Sequence, residues 1–336
     1  MWKQKIKFSF FPPLYGTPVL MFGLASLVMS QKEIVCIYHQ YKRTLQNILK
    51  LSTRSPASVV HFLAGSLPGA AILHLKQLSL FGMICRLSGD PLNNYAYHVL
   101  LTSPVKKSWF HQIRNLHLQY LLPHPLQVLQ NPPSKEAYKK LVKARVLDYW
   151  ETKLRQEASF LPSLGYFNPN YMSLTTPHKL WSAAGSKTYE VAKARIQALF
   201  LASQYPCAKY TRHWSPQNPN GFCSYPCCES NFCVESPEHI LLFCPAYDEV
   251  RRTLVAMCLQ IQNPVSRNRV INIVFSTSTH NIMQFLLDCS VMPDIISAVQ
   301  CFGRSILSDL FYLGRSWCFS LHRERMKRLG RWNFTV

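Results

Sequence analysis

The sequence predicts a mostly α protein: a helical bundle region, then a small Cys3His zinc module, then a long carboxyl-terminal helical segment. Three observations carry that expectation. Apolar residues recur at steps of three and four through most of the chain, and few stretches alternate with period two. Hydrophobic residues make up 48% of the 336, enough to build a core, and only 16% are charged. Five of the twelve cysteines crowd between Cys223 and Cys244 around His239, while the others stand singly among apolar neighbours.

Charge narrows the function classes. Lys and Arg number 37 against 16 Asp and Glu, a formal charge of +21. A field of that sign favours polyanionic partners, nucleic acid ahead of an anionic membrane surface. The aspartates Asp90, Asp148, Asp248, Asp288, Asp294 and Asp309 are never adjacent, so no local carboxylate pair is available to hold two metal ions for phosphoryl chemistry. The chain also has no Walker loop, no G-x-S-x-G elbow and no H-E-x-x-H. It is expected not to be an enzyme in its own right and to take no small-molecule substrate.

The elements follow in order. Residues 1–30 carry Lys3, Lys5 and Lys7 and then an apolar run, as a signal or membrane anchor would. Pro12, Pro13 and Pro18, with Gly16 and Gly23, interrupt that run and would leave backbone groups unpaired in hydrocarbon. A loop and short helix is the preferred reading, with an intracellular location in cytoplasm or nucleus. Residues 31–160 read as a helical region. Gln31–Leu51 has Ile34, Tyr38, Tyr41, Leu45 and Leu49 on one side. Ser55–Ala64 follows, and Pro68–Leu87 is apolar nearly all round, as a central buried helix would be. Val105–Leu122 is amphipathic. Ser134 is placed to cap a helix to about Phe160, with Tyr138, Val142, Val146 and Trp150 inward and Lys135, Lys139, Lys140, Lys143 and Arg145 outward. Pro, Asn, Ser and Thr rise over 161–185, which reads as a linker. Residues 186–336 form the last region. Its expected helices are Ser186–Gln204, Ala246–Ile261 and Val291–Leu329, the last either unbroken or interrupted near Gly303 or Gly314.

The chemistry concentrates in residues 222–245. With Cys228 as second ligand, Cys223, Cys228, His239 and Cys244 read C-x4-C-x10-H-x4-C, three thiolates and an imidazole for a closed structural Zn²⁺ site. Cys227 is an alternative to Cys228, and Cys233 is surplus. Metal binding would supply folding free energy to a segment with few apolar residues. Glu238 beside His239 reads as an acid favoured at a helix start. Just upstream, Lys209, Arg212, His213 and Trp214 alternate cations with aromatics, a pattern that neutralises phosphates and stacks on unpaired bases. Lys193 and Arg195 on the preceding helix extend this candidate surface for RNA or single-stranded DNA. The rivals are a secreted or membrane-anchored protein whose cysteines form disulfides, and an inert product with no partner.

One segment carries a resemblance. Glu235-Ser-Pro-Glu238-His239-Ile-Leu-Leu-Phe-Cys244-Pro resembles the metal-binding segment near the carboxyl end of non-LTR (LINE-type) retrotransposon reverse transcriptases. Leu14-Tyr-Gly-Thr-Pro-Val-Leu, Leu67-Pro-Gly, Leu78–Arg86, Ser108-Trp-Phe-His-Gln-Ile-Arg114, Ser173-Leu-Thr-Thr-Pro-His178 and Leu329-Gly-Arg-Trp332 are similar, in order, to stretches that follow the palm in such proteins. The resemblance implies a non-catalytic carboxyl-terminal fragment. Residues 1–30 would be a truncated palm end and thumb start, 31–160 the thumb and connection. The same four metal ligands are implied, in a module associated with holding RNA or target DNA. Where relatives carry three arginines ahead of the basic loop, this chain has Leu199, Gln204 and Pro206, which weakens the expected phosphate contacts.

Overall fold

Helices supply nearly all regular structure in the computed structural model, which describes residues 23–87, 90–102, 108–212, 218–229, 232–261, 264–274, 278–293, 295–297 and 305–330. Among the described residues there is no β-strand, only isolated bridges pairing Ser173 with Thr176 and Phe222 with Val234. The mostly α expectation holds. The chain divides into two units, Met1–Ile48 with Val60–Glu157 and Ser173–Thr176, and Leu49–Val59 with Ala158–Met172 and Pro177–Val336. Stretch 161–185, expected as a linker, contributes to both and buries Leu164, Phe167, Met172, Leu174, Leu180 and Trp181.

The first unit is a helical bundle. Helix α1 (Gln31–Leu49) starts in a capping box: the Glu33 amide donates to Ser30 Oγ at 3.4 Å, and the Ser30 amide donates back to Glu33 Oε2 at 2.7 Å. Helix α2 (Ala57–Ala64) precedes α3 (Gly69–Cys85), which buries Leu73, Leu78, Phe81 and Ile84. Among the described residues the opposite face of α3 is left open, and Met83 is 50% exposed. Helix α4 (Pro91–Thr102) was not anticipated, although Asp90 Oδ1 accepts from the Leu92 amide at its start. Helices α5 (Trp109–Gln119) and α6 (Pro125–Gln130) pack with α3 and α4. In α7 (Lys135–Ser159) the Ser134 hydroxyl accepts from the Ala137 amide, Tyr138, Val142, Val146 and Trp150 are buried, and the lysines face water.

Three histidines lie inside this bundle. Burial holds His61, His74 and His117 down at about 4, so each is neutral near pH 7. The Nδ1–H of His61 donates to the Ser66 carbonyl at 3.0 Å, because a carbonyl can only accept. Among the described residues no single helix is long and apolar enough to cross a membrane; α2 and α3 qualify only as a pair, bent by 64°.

The second unit is organised around its last helix. Helices α8 (Lys179–Ala184), α9 (Thr188–Leu201), α10 (Ala208–Thr211), α11 (Pro226–Glu229), α12 (Asp248–Leu259), α13 (Pro264–Val274), α14 (Thr279–Asp288) and α15 (Ser305–Arg328) complete the order. Helix α15 packs against α8, α9, α12, α13 and α14. It runs through Gly314 without a break. The glycine serves close approach there: a Cβ would stand 2.5 Å from the Leu286 carbonyl oxygen. Gln197 Nε2 donates to that same carbonyl at 2.7 Å, joining α9 to α14. Below them His178 Nε2 and Asp288 Oδ2 form a buried pair at 3.1 Å.

Candidate metal centre

The cysteine-rich segment folds around four side chains. Sγ of Cys223, Cys228 and Cys244 and a ring nitrogen of His239 all lie within 4.8 Å of one another, and all four residues are buried. Cys223 and Cys244 sulfurs are 3.9 Å apart, Cys228 and Cys244 3.6 Å, and Cys228 stands 3.5 Å from His239 Nε2. A tetrahedral ion with metal–sulfur bonds of about 2.3 Å sets its sulfurs about 3.8 Å apart, so the donors fit such an ion. Cys227 is exposed, its sulfur 3.8 Å from that of Cys228 and outside the cluster, which decides between the two adjacent thiols. Cys233 contributes its backbone, accepting from the Cys223 amide at 2.7 Å.

Local backbone explains the convergence. Five residues apart on an α-helix face directions about 140° apart. Residues His239–Phe243 instead form a π turn, closed by the Cys244 amide donating to the His239 carbonyl at 2.7 Å. The wider turn brings His239 and Cys244 to the same side. Behind them Ile240 and Leu241 are fully buried, and Trp317 Nε1 of α15 donates to the Leu241 carbonyl at 3.1 Å.

Electrostatics fit a cation. A hydrogen bond from Cys244 holds the Cys223 thiol down at about 4, while burial pushes Cys228 up to about 12. Cys244 is raised in turn, because its thiol donates to the Cys223 thiolate. A divalent ion would draw the remaining thiol protons off. Four protein donors fill a tetrahedral shell and leave no position for substrate, so the arrangement suits a structural ion. Glu238 is no free base. Burial works to raise its carboxyl, but hydrogen bonds from Ser236, its own amide and Tyr166 hold it below the usual range.

Two residues outside the expected set lock the centre in place. Glu235 and Arg325 form a buried two-pronged pair, Nε to Oε1 at 3.1 Å and Nη2 to Oε2 at 3.0 Å. Glu235 Oε2 also accepts from the Ala208 amide at 2.6 Å, and the Glu235 carbonyl accepts from the Lys209 amide at 3.1 Å. One carboxylate residue therefore ties α15, the metal segment and α10. Gly221, at φ +71, completes the junction, since a Cβ there would stand 3.1 Å from the Ala208 carbonyl. In the sequence Glu235 was visible within the resembling segment, but Arg325 was indistinguishable from its basic neighbours.

The expected nucleic-acid residues separate. Lys209 and Arg212 are exposed beside the metal segment, with Lys209 Nζ 5.9 Å from the Tyr210 ring centre. His213 and Trp214 lie outside the described residues. Lys193 is withdrawn from solvent: its ammonium pairs with Glu190 at 2.8 Å and lies over the Tyr189 and Tyr312 rings, so it does not present a phosphate contact. Arg195 is half-buried, its Nε fully enclosed without a hydrogen-bond partner, and burial lowers its pKa. The described cysteines are free thiols. Comparison with protein-family models, curated proteins and solved structures finds no match.

Proposed function

We propose that the protein is the non-catalytic region that follows the palm of a LINE-type reverse transcriptase, held in shape by zinc and binding RNA or single-stranded DNA inside the cell. The observation that carries this reading is the fixed junction of the Cys3His cluster with the exposed Lys209 and Arg212. Zinc is the ion of choice because thiolates and imidazole in a tetrahedron match its preferences. The resemblance over Glu235–Pro245 supplies the family. The absence of clustered carboxylates in the sequence supports a role without polymerase chemistry of its own.

The test is fluorescence anisotropy of the purified full chain with labelled single-stranded RNA across a salt series. Affinity should fall steeply with salt. Lys209→Ala with Arg212→Ala should lower the slope of log K against log salt by about 1.4, two phosphate contacts at about 0.7 each on a single strand. Cys228→Ala should lose both zinc and affinity. A double variant with unchanged slope and affinity would remove the assignment of the strand to this surface.

A further inference from the structure

The uncovered face of α3 points to a second interaction surface, independent of the metal centre. A groove of about 650 Å³ runs between α3 and α7. Its apolar floor is Ile72, Leu75, Leu80 and Met83 from α3, continued by Leu87 and by Val142 of α7. Met83 and Leu87 are 50% and 38% exposed, so the groove presents apolar surface to solvent. The rim is cationic. Lys76 and Arg86 stand on one side, and Lys135, Lys139 and Lys143, spaced at i, i+4 and i+8 along α7, form a ladder on the other. No carboxylate is among the described residues lining it.

We infer that this groove docks an amphipathic helix from a partner protein, with apolar anchors at i, i+3 or i+4 and i+7 and with glutamate or aspartate along both flanks. Complementarity decides the occupant. Apolar anchors would bury the α3 stripe, and flanking carboxylates would meet both rows of cations, which in turn sets orientation and rejects cationic helices. The amino-terminal 22 residues of the chain itself carry three lysines and no carboxylate, so they do not match this rim. A nucleic-acid strand finds cations here but, among the described residues, no exposed aromatic face on which a base could stack, because the one ring lining the groove, Tyr138, is buried.

A fluorescein-labelled designed peptide tests this. It carries leucines at i, i+4 and i+7 flanked by glutamates, with a scrambled peptide of identical composition as control. The full chain, its methionine methyls labelled with carbon-13, is titrated with each. The designed peptide should bind by anisotropy, and the Met83 methyl signal, assigned through Met83→Leu, should shift while the scrambled peptide leaves it in place. Lys139→Glu with Lys143→Glu, both at exposed positions, should weaken binding about tenfold or more. A peptide with lysines in place of glutamates should then bind this variant better than it binds the parent. Equal binding of designed and scrambled peptides would overturn the inference. So would a Met83 signal that moves only with a single-stranded oligonucleotide, with anionic phosphatidylserine vesicles, or with protein concentration as a second copy docks.

Discussion

At the scale of single residues, the adjacent thiols Cys227 and Cys228 give a sharp comparison. Only Cys228 is buried within the donor set. For the proposed zinc site, Cys227→Ala should keep one metal ion per chain by elemental analysis, and Cys228→Ala should lose it. Spacing alone left those two residues open, because a ligand is chosen by side-chain direction and a one-residue shift in a turn is invisible in sequence. The Glu235–Arg325 pair makes a second comparison. Arg325→Leu strands a carboxylate that is 4% exposed and should cost about 3–5 kcal/mol, measured by urea unfolding. Lys209→Ala, at an exposed position, should lie within about 0.5 kcal/mol of the parent. Lys193 shows the limit of composition. A lysine on a basic stretch reads as a phosphate contact, yet a glutamate three residues away and two aromatic faces claim its ammonium.

Elements with a long apolar stripe were legible: α1, α3, α7, α9, α12 and much of α15 lie where periodicity put them. Helices α4, α6, α8, α13 and α14, six to twelve residues long, were not: so few turns leave a period weak, and helices as short as α2, α5 and α12 showed only because apolar spacing extends over their flanks. Their start signals were present, as at Ser278, which accepts from the Asn281 amide ahead of α14. The sequence offers Gly314 as a break in α15, yet the helix runs through it and the glycine lets the Leu286 carbonyl of α14 approach closely. Gly314→Ala should push those helices apart and cost about 1–3 kcal/mol by thermal denaturation. The histidines of the first unit set its acid limit. His61, His74 and His117 titrate near 4 when folded against an ordinary 6.5, so the unfolded chain binds more protons between those values. Their contribution, on the order of 3 kcal/mol each, is complete above pH 6.5 and is lost as pH falls towards 4. Hydrogen exchange at α3 and α5 should accelerate across that window.

For the whole molecule, the helical class and three of the four metal donors could be read from the sequence, with the choice between Cys227 and Cys228 left to the structure. Stretch 161–185 has linker composition, but its few large apolar residues are the ones that become buried. Chelation should therefore act unevenly. For the proposed zinc site, a strong zinc chelator should raise exchange over 221–229, 232–247 and α10, which share the Glu235 junction, and the first unit should keep its protection. The same junction constrains how the chain can drift. Position 235 must accept a hydrogen bond from the Ala208 amide as well as meet a cation, so an exchanged pair, with arginine there and glutamate at 325, would balance charge yet leave that amide orphaned. The polarity of this pair is thus one-way: trading the two residues does not rebuild the junction.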